Sequence, residues 1–145
     1  MNDVANDTDA GKLLELAARC EGAGPEMQGR LLEEAWEACA EHSYEFQAFA
    51  RDFLSGFDNN AGKFAAALEA AAYESAALML VPEQCYSVSL SWFMLDISTG
   101  DDPPDMARRY SATVTGACIP FFQSIGTASP ALALTAAALR ARAAS

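Results

Sequence analysis

Basic residues are scarce in this chain. It has nine Lys and Arg against twenty Asp and Glu, for a net charge of −11 and a pI near 4.3. Charge of that sign repels nucleic acid and anionic membranes and attracts basic partners, so direct contact with either is not expected. Long apolar runs are also missing. Leu78–Val81 and the alanine-rich stretch Ala131–Leu139 fall well short of the ~18 residues a membrane helix needs. Histidine occurs once, as His42. Cysteine occurs four times, at Cys20, Cys39, Cys85 and Cys118, with irregular spacing and no CxxC pair. Met1–Ala10 is polar and acidic, unlike a signal peptide. Together these predict a reducing cytoplasm and free, mostly buried thiols. A glycine-rich phosphate loop is absent, because Gly22-Ala23-Gly24-Pro25 lacks the further glycine and lysine that cradling phosphate requires. No nucleophile elbow, internal repeat or low-complexity linker is present either.

What the chain does have is apolar residues, 52% of 145 with 10% aromatic, which excludes a disordered acidic tail. That length is expected to form one domain, 1–145, and to bury roughly two thirds of its unfolded surface. Charge divides it into an acidic helical part, 1–60, and a helix–strands–helix part, 61–145. Residues 1–70 hold fourteen acidic and five basic side chains, a net of −9. Residues 71–145 hold six and four, a net of −2.

Apolar spacing supplies the elements. Asp9 reads as the cap of a helix over about 10–20, which Gly22 and Gly24 end. A second helix over about 25–41 opens on Pro25, with Met27, Leu31, Leu32, Ala35, Trp36 and Cys39 as its buried stripe. Ser43 caps a third helix, whose aromatic stripe is Tyr44, Phe46, Phe49 and Phe53, with Leu54 beside them and Gly56 ending it. Asp58–Gly62 reads as a loop. A long central helix is expected over about 63–80, with Phe64, Leu68, Ala71, Ala72, Ser75, Leu78 and Met79 on one face and Pro82 as its stop. Tyr86–Trp92 alternates apolar and small polar residues, as a half-buried strand does, and Phe93–Ile97 continues it. Ser98–Pro104 forms a turn and acidic loop. Arg109–Thr115 reads as a second strand, and 116–123 is ambiguous because Pro120 favours an edge or a break. The last helix has the clearest start, with Ser129 as cap and Pro130 at its first position. Arg140 and Arg142 then complement its dipole. The fold class is α+β: helix-rich, with a small antiparallel sheet of two to three strands packed against the long central helix and the C-terminal helix.

Carboxylates are the candidate functional groups. Glu33, Glu34, Glu37 and Glu41 fall mainly on the water side of the second helix, and Glu45 opens the third. Like charges at i and i+4 destabilise a helix, so the ridge is not there for stability. It reads either as a solvated face or as a row of carboxylates standing in for phosphates against Lys and Arg. Asp101, Asp102 and Asp105 crowd one loop and form a second acidic candidate. Their spacing is not that of an EF-hand, and no metal is assigned. Cys39 and His42 are three apart, but a zinc site needs about four ligands, and only Cys20 lies nearby in sequence. A core cysteine and a helix-end histidine explain the pair more simply. No catalytic residue and no cofactor is assigned.

Tyr73-Glu74-Ser75-Ala76-Ala77-Leu78-Met79-Leu80-Val81-Pro82-Glu83, the short strand pair, and then Ala128-Ser129-Pro130-Ala131-Leu132-Ala133-Leu134 and the helix to Arg142 resemble small phage and prophage proteins of alphaproteobacteria. These are similar to phage ABA-sandwich domains. Ala18–Pro25 resembles the stretch that opens such proteins. The family pattern has Thr where Ser129 stands here, and the aromatic block 36–54 lies outside it. The resemblance implies a phage origin, a bacterial host cell and a small α/β sandwich, and it implies no reaction. With the charge, it leads to the expectation of a non-enzymatic acidic phage protein. Such a protein would bind a host nucleic-acid-handling defence complex, of the anti-CRISPR or anti-restriction type, by occupying its basic surface. Two alternatives stand beside it. One is a structural or assembly accessory that self-associates, as a homo-oligomer, through the alanine-rich face of 63–80. The other is a small thiol- or metal-dependent enzyme.

Overall fold

The computed structural model describes residues 2–52, 59–116 and 122–144. Helix α1 spans Asn2–Gly22, a short 3-10 turn covers Pro25–Met27, α2 spans Gln28–His42 and α3 Tyr44–Arg51. Helices α4 (Asn60–Glu69) and α5 (Tyr73–Leu78) follow. The strands are β1 (Cys85–Asp96), β2 (Met106–Gly116) and β3 (Phe122–Thr127), and α6 spans Pro130–Ala143. The α+β class therefore holds, with a three-stranded antiparallel sheet in the order β1-β2-β3.

The core is organised by α6. Ten of its fourteen residues are buried, on every side of the helix, as expected for a helix with small apolar residues all round. It lies against β2 and β3 on one side and against α1, α5 and α2 on the other. Its alanines let these neighbours approach closely. The one buried hydroxyl in its middle, Thr135, donates to the Ala131 carbonyl at 2.7 Å. Its start is the one the sequence specifies: Ser129 accepts from the Leu132 N–H at 3.1 Å, and Pro130 follows.

The two arginines of its last turns do more than complement a dipole. Arg140 forks onto both carboxylate oxygens of Glu21 at the end of α1, with Nη1 to Oε2 at 3.1 Å, and Nη1 also donates to the Gln123 carbonyl of β3 at 3.0 Å. Ser124 Oγ donates to the same Glu21 carboxylate at 3.0 Å. One buttressed ion pair thus joins α1, β3 and α6. Arg142 donates through Nε to the Leu80 carbonyl and lies 4.6 Å over the Phe46 ring.

Several expectations are corrected. α1 begins at Asn2, so Asp9 lies within the helix and does not cap it. Asn59 is the N-cap of α4, accepting from the Gly62 N–H at 2.8 Å, so Asn60–Gly62 is helix rather than loop. Buried Asn60 donates to the Phe49 carbonyl at 2.8 Å and ties the end of α3 to α4. The long central helix does not form. It is broken between α4 and α5 at Ala71, which takes a left-handed φ of 58°. The break swings α5 so that Ala76, Ala77 and Leu80 enter the core, while Ala71, Ala72 and Leu78 of the expected stripe are exposed. The sheet consequently packs on α6 and α1 and not on a central helix. The stretch 116–123, ambiguous by sequence, contains the start of β3. Phe53, Leu54, Gly56, Asp58, Cys118 and Pro120 lie outside the described residues.

Sheet register separates two faces. Val88 pairs with Val114, Leu90 with Ala112 and Trp92 with Tyr110, and across β2 Ala112 meets Ser124 and Val114 meets Phe122. Opposed residues share a face, so these side chains all lie on the side that carries α6. Ala112 and Val114 are covered by it, whereas β1 packs substantially on β2 alone and overhangs the helix. The reverse face mixes hydroxyls with Phe93, Leu95, Arg109 and Ile125, and on it the Ser91 and Ser111 hydroxyls lie 2.6 Å apart.

Candidate functional site

Helix α2 buries Leu31, Leu32, Ala35 and Cys39 and turns Glu33, Glu37 and Glu41 outward. These three are four residues apart and therefore form one row. Among the described residues none of them is ion-paired with a cation of this chain. Glu34 is different. It sits on the α1 side of the helix, where its Oε2 takes the Arg19 guanidinium at 2.9 Å. Glu45 is exposed in the first turn of α3. Asp101, Asp102 and Asp105 are exposed at the tip of the β1–β2 hairpin, on a ribbon that does not pack on α2. The structure thus brings Glu33, Glu37 and Glu41 together, assigns Glu34 to an internal pair, and sets the three aspartates apart.

The row borders a groove of about 620 Å³ between α2 and α4. Glu33 and Glu37 stand on one wall, Glu69 at the end of α4 joins them, and Trp36, Phe64 and Leu68 make up the apolar lining. Trp36 and Phe64 stack, with centroids 4.3 Å apart and planes 25° from parallel. Buried Phe46 meets the Trp36 ring edge-on at 4.7 Å, which fixes the indole. A groove with an aromatic lining and three carboxylates at its rim suits a Lys or Arg side chain, which can place its stem on the ring and its charge among the acids. Glu69, Phe64 and Leu68 were not singled out as a site by sequence. They lie some thirty residues from Glu37 and Trp36, and only the packing of α4 on α2 and α3 unites them.

A second groove, about 400 Å³, runs between α3 and the end of α6, lined by Glu45, Phe49, Asp52, Glu83, Gln84 and Arg142. Burial lowers the Arg142 guanidinium from its ordinary value, with Cys39, Cys85, Glu83 and Glu45 acting in the opposite direction. His42 lines an adjoining hollow, and its Nδ1 is buried with no hydrogen-bond partner among the described residues.

Cys20 and Cys39 are free and buried, and burial pushes each thiol up to about 12. Cys85, half-buried at the start of β1, is also raised by burial. A nucleophilic cysteine needs the opposite shift. Among the described residues no three His, Cys, Asp or Glu side chains are grouped as a metal site requires. No described helix is long and apolar enough to cross a membrane.

No family model matches the chain, and no curated protein and no solved structure matches it.

Proposed function

We propose that this chain is a non-enzymatic binding protein that docks its acidic α2 face onto a basic surface of another protein. The observation that carries the reading is the row Glu33, Glu37 and Glu41, exposed and with no ion pair among the described residues, beside an aromatic groove that Glu69 also borders. Three carboxylates at helical spacing present charge much as successive phosphates do. They attract a surface built to hold nucleic acid, and the groove then takes one Lys or Arg as an anchor. The resemblance of 73–83 and 128–142 to phage proteins points to the partner class, a host nucleic-acid-handling defence complex of the CRISPR or restriction kind. Asp101, Asp102 and Asp105 on the hairpin tip would make a separate, secondary contact.

The test is an affinity pull-down from host lysate at low and high salt, followed by binding measurements on the isolated partner. The expected outcome is a basic nucleic-acid-binding protein that is lost at high salt and competes with its own nucleic acid. Reversing Glu33 and Glu37 to Lys together is expected to weaken binding about a hundredfold at low salt, chiefly through slower association. Undiminished binding by the double reversal would end the reading.

A further inference from the structure

We propose that the groove between α3 and the end of α6 binds a basic α-amino acid of the lysine type. The ligand's carboxylate lies on Arg142 and its two cationic groups lie among Glu45, Asp52 and Glu83. The groove measures about 400 Å³, within the range of small-ligand sites. It shares no lining residue with the groove beside Glu33 and Glu37, so neither reading depends on the other.

The state of Arg142 carries the proposal. Its side chain is held at two points: Nε donates to the Leu80 carbonyl, and the guanidinium lies 4.6 Å over the Phe46 ring. The group is therefore in place before a ligand arrives, which lowers the cost of binding. Its neighbour on α6, Arg140, has the Glu21 carboxylate. Arg142 has no counterpart to it. Nη1 and Nη2 donate to nothing among the described residues, and no described carboxylate reaches them as an ion pair. A cation partly withdrawn from water normally gains such a partner, and here burial outweighs every nearby charge in its effect on the guanidinium. A ligand carboxylate supplies what is missing, because it takes two parallel hydrogen bonds from the planar fork.

The rest of the groove decides what else the ligand carries. Glu45, Asp52 and Glu83 line it beside Arg142. One cation against three carboxylates leaves the site a net −2. A simple anion is repelled by that surplus, and a simple cation leaves Arg142 unanswered. A molecule with one carboxylate and two cations matches both signs. Phe49 and Val81 give its aliphatic stem an apolar wall between the two ends.

The test is calorimetric titration of the unaltered chain, in physiological salt, with L-lysine, its methyl ester and cadaverine. L-Lysine is expected to bind one per chain with a Kd of about 0.1–1 mM, ordinary for a ligand of its size. The ester and cadaverine keep the cations without the free carboxylate, and each should bind at least about tenfold more weakly. General attraction to a chain of net −11 predicts the reverse order, since both carry more positive charge than lysine. The Arg142 Nε–H resonance should shift with L-lysine and not with the ester, a readout that needs no variant. Glu45→Gln with Glu83→Gln, both exposed, should weaken L-lysine about tenfold. Removing the same charge at exposed Glu15 and Glu74 should leave its binding unchanged. The proposal is overturned by the absence of saturable L-lysine binding in the millimolar range, or by an ester or cadaverine that binds as tightly. An unmoved Arg142 resonance, or equal effects of the two double variants, would overturn it as well.

Discussion

Replacing Glu21 by glutamine is expected to destabilise the fold by about 2 kcal/mol at neutral pH. That lies between the ~1 kcal/mol of an exposed ion pair and the 3–5 kcal/mol lost when one partner of a buried pair is removed. The structure sets that position. The Glu21 and Arg140 side chains are 27% and 26% exposed, the contact is two-pronged, and Ser124 adds a third hydrogen bond. Burial alone would raise the Glu21 carboxyl. The hydrogen bond and charge of Arg140, with Ser124 and the Ile125 backbone, outweigh it and hold the group below its usual value. A carboxyl depressed in the folded state stabilises above its unfolded value, near pH 4.3, and loses that contribution as pH falls through the lower folded value. Urea unfolding followed by tryptophan fluorescence should therefore show a lower midpoint for the glutamine variant at pH 7. The gap to the unaltered protein should close as the solution is acidified below the carboxylate range. In heating experiments the same difference corresponds to about 4–8 °C. Equal midpoints at pH 7, or a gap that persists in acid, would refute the account. Glu34→Gln is the internal control, because its pair with Arg19 is more exposed, at 36% and 47%, and should shift the midpoint by well under 1 kcal/mol.

Thiol labelling should rank the described cysteines: Cys85 should react first, and Cys20 and Cys39 only at the rate of unfolding, with early labelling of Cys39 counting against its burial. Ala71→Gly should raise the melting temperature by a degree or two, because relief of a left-handed alanine, about 1–2 kcal/mol, exceeds the ~0.5–1 kcal/mol entropic penalty of glycine. A drop on calorimetry would contradict the strained turn between α4 and α5.

Local signals were legible in the sequence where the chemistry was local. Ser43 and Ser129 cap the helices their positions predict, accepting from N–H groups three residues on. The alternation in 86–92 and 109–115 places both long strands. The break at Ala71 was hidden because alanine is the best helix former, and only the docking of Ala76, Ala77 and Leu80 into the core favours the turn. β3 was obscured by the ambiguity around Pro120, and Gln123 and Gly126 weaken its apolar signal. At the candidate site, the outward row on α2 follows from helical spacing alone. The partner of Glu34 on α1 and the carboxylate of Glu69 across the groove come from packing, and no spacing rule announces them. Arg140 illustrates the limit best, since its partner lies 119 residues away.

The placement of α6 bears on how the protein matures during synthesis. A ribosome delivers this helix after every described element it touches. Until it emerges, Leu13, Leu16 and Ala17 of α1 and Ala112 and Val114 of β2 lack the surface they close against. The nascent chain therefore passes through a stage in which helices and hairpin exist without a shared interior. The first half of the polypeptide waits on the second, and this sequence-distant closure makes a slow, late step in acquiring the native state.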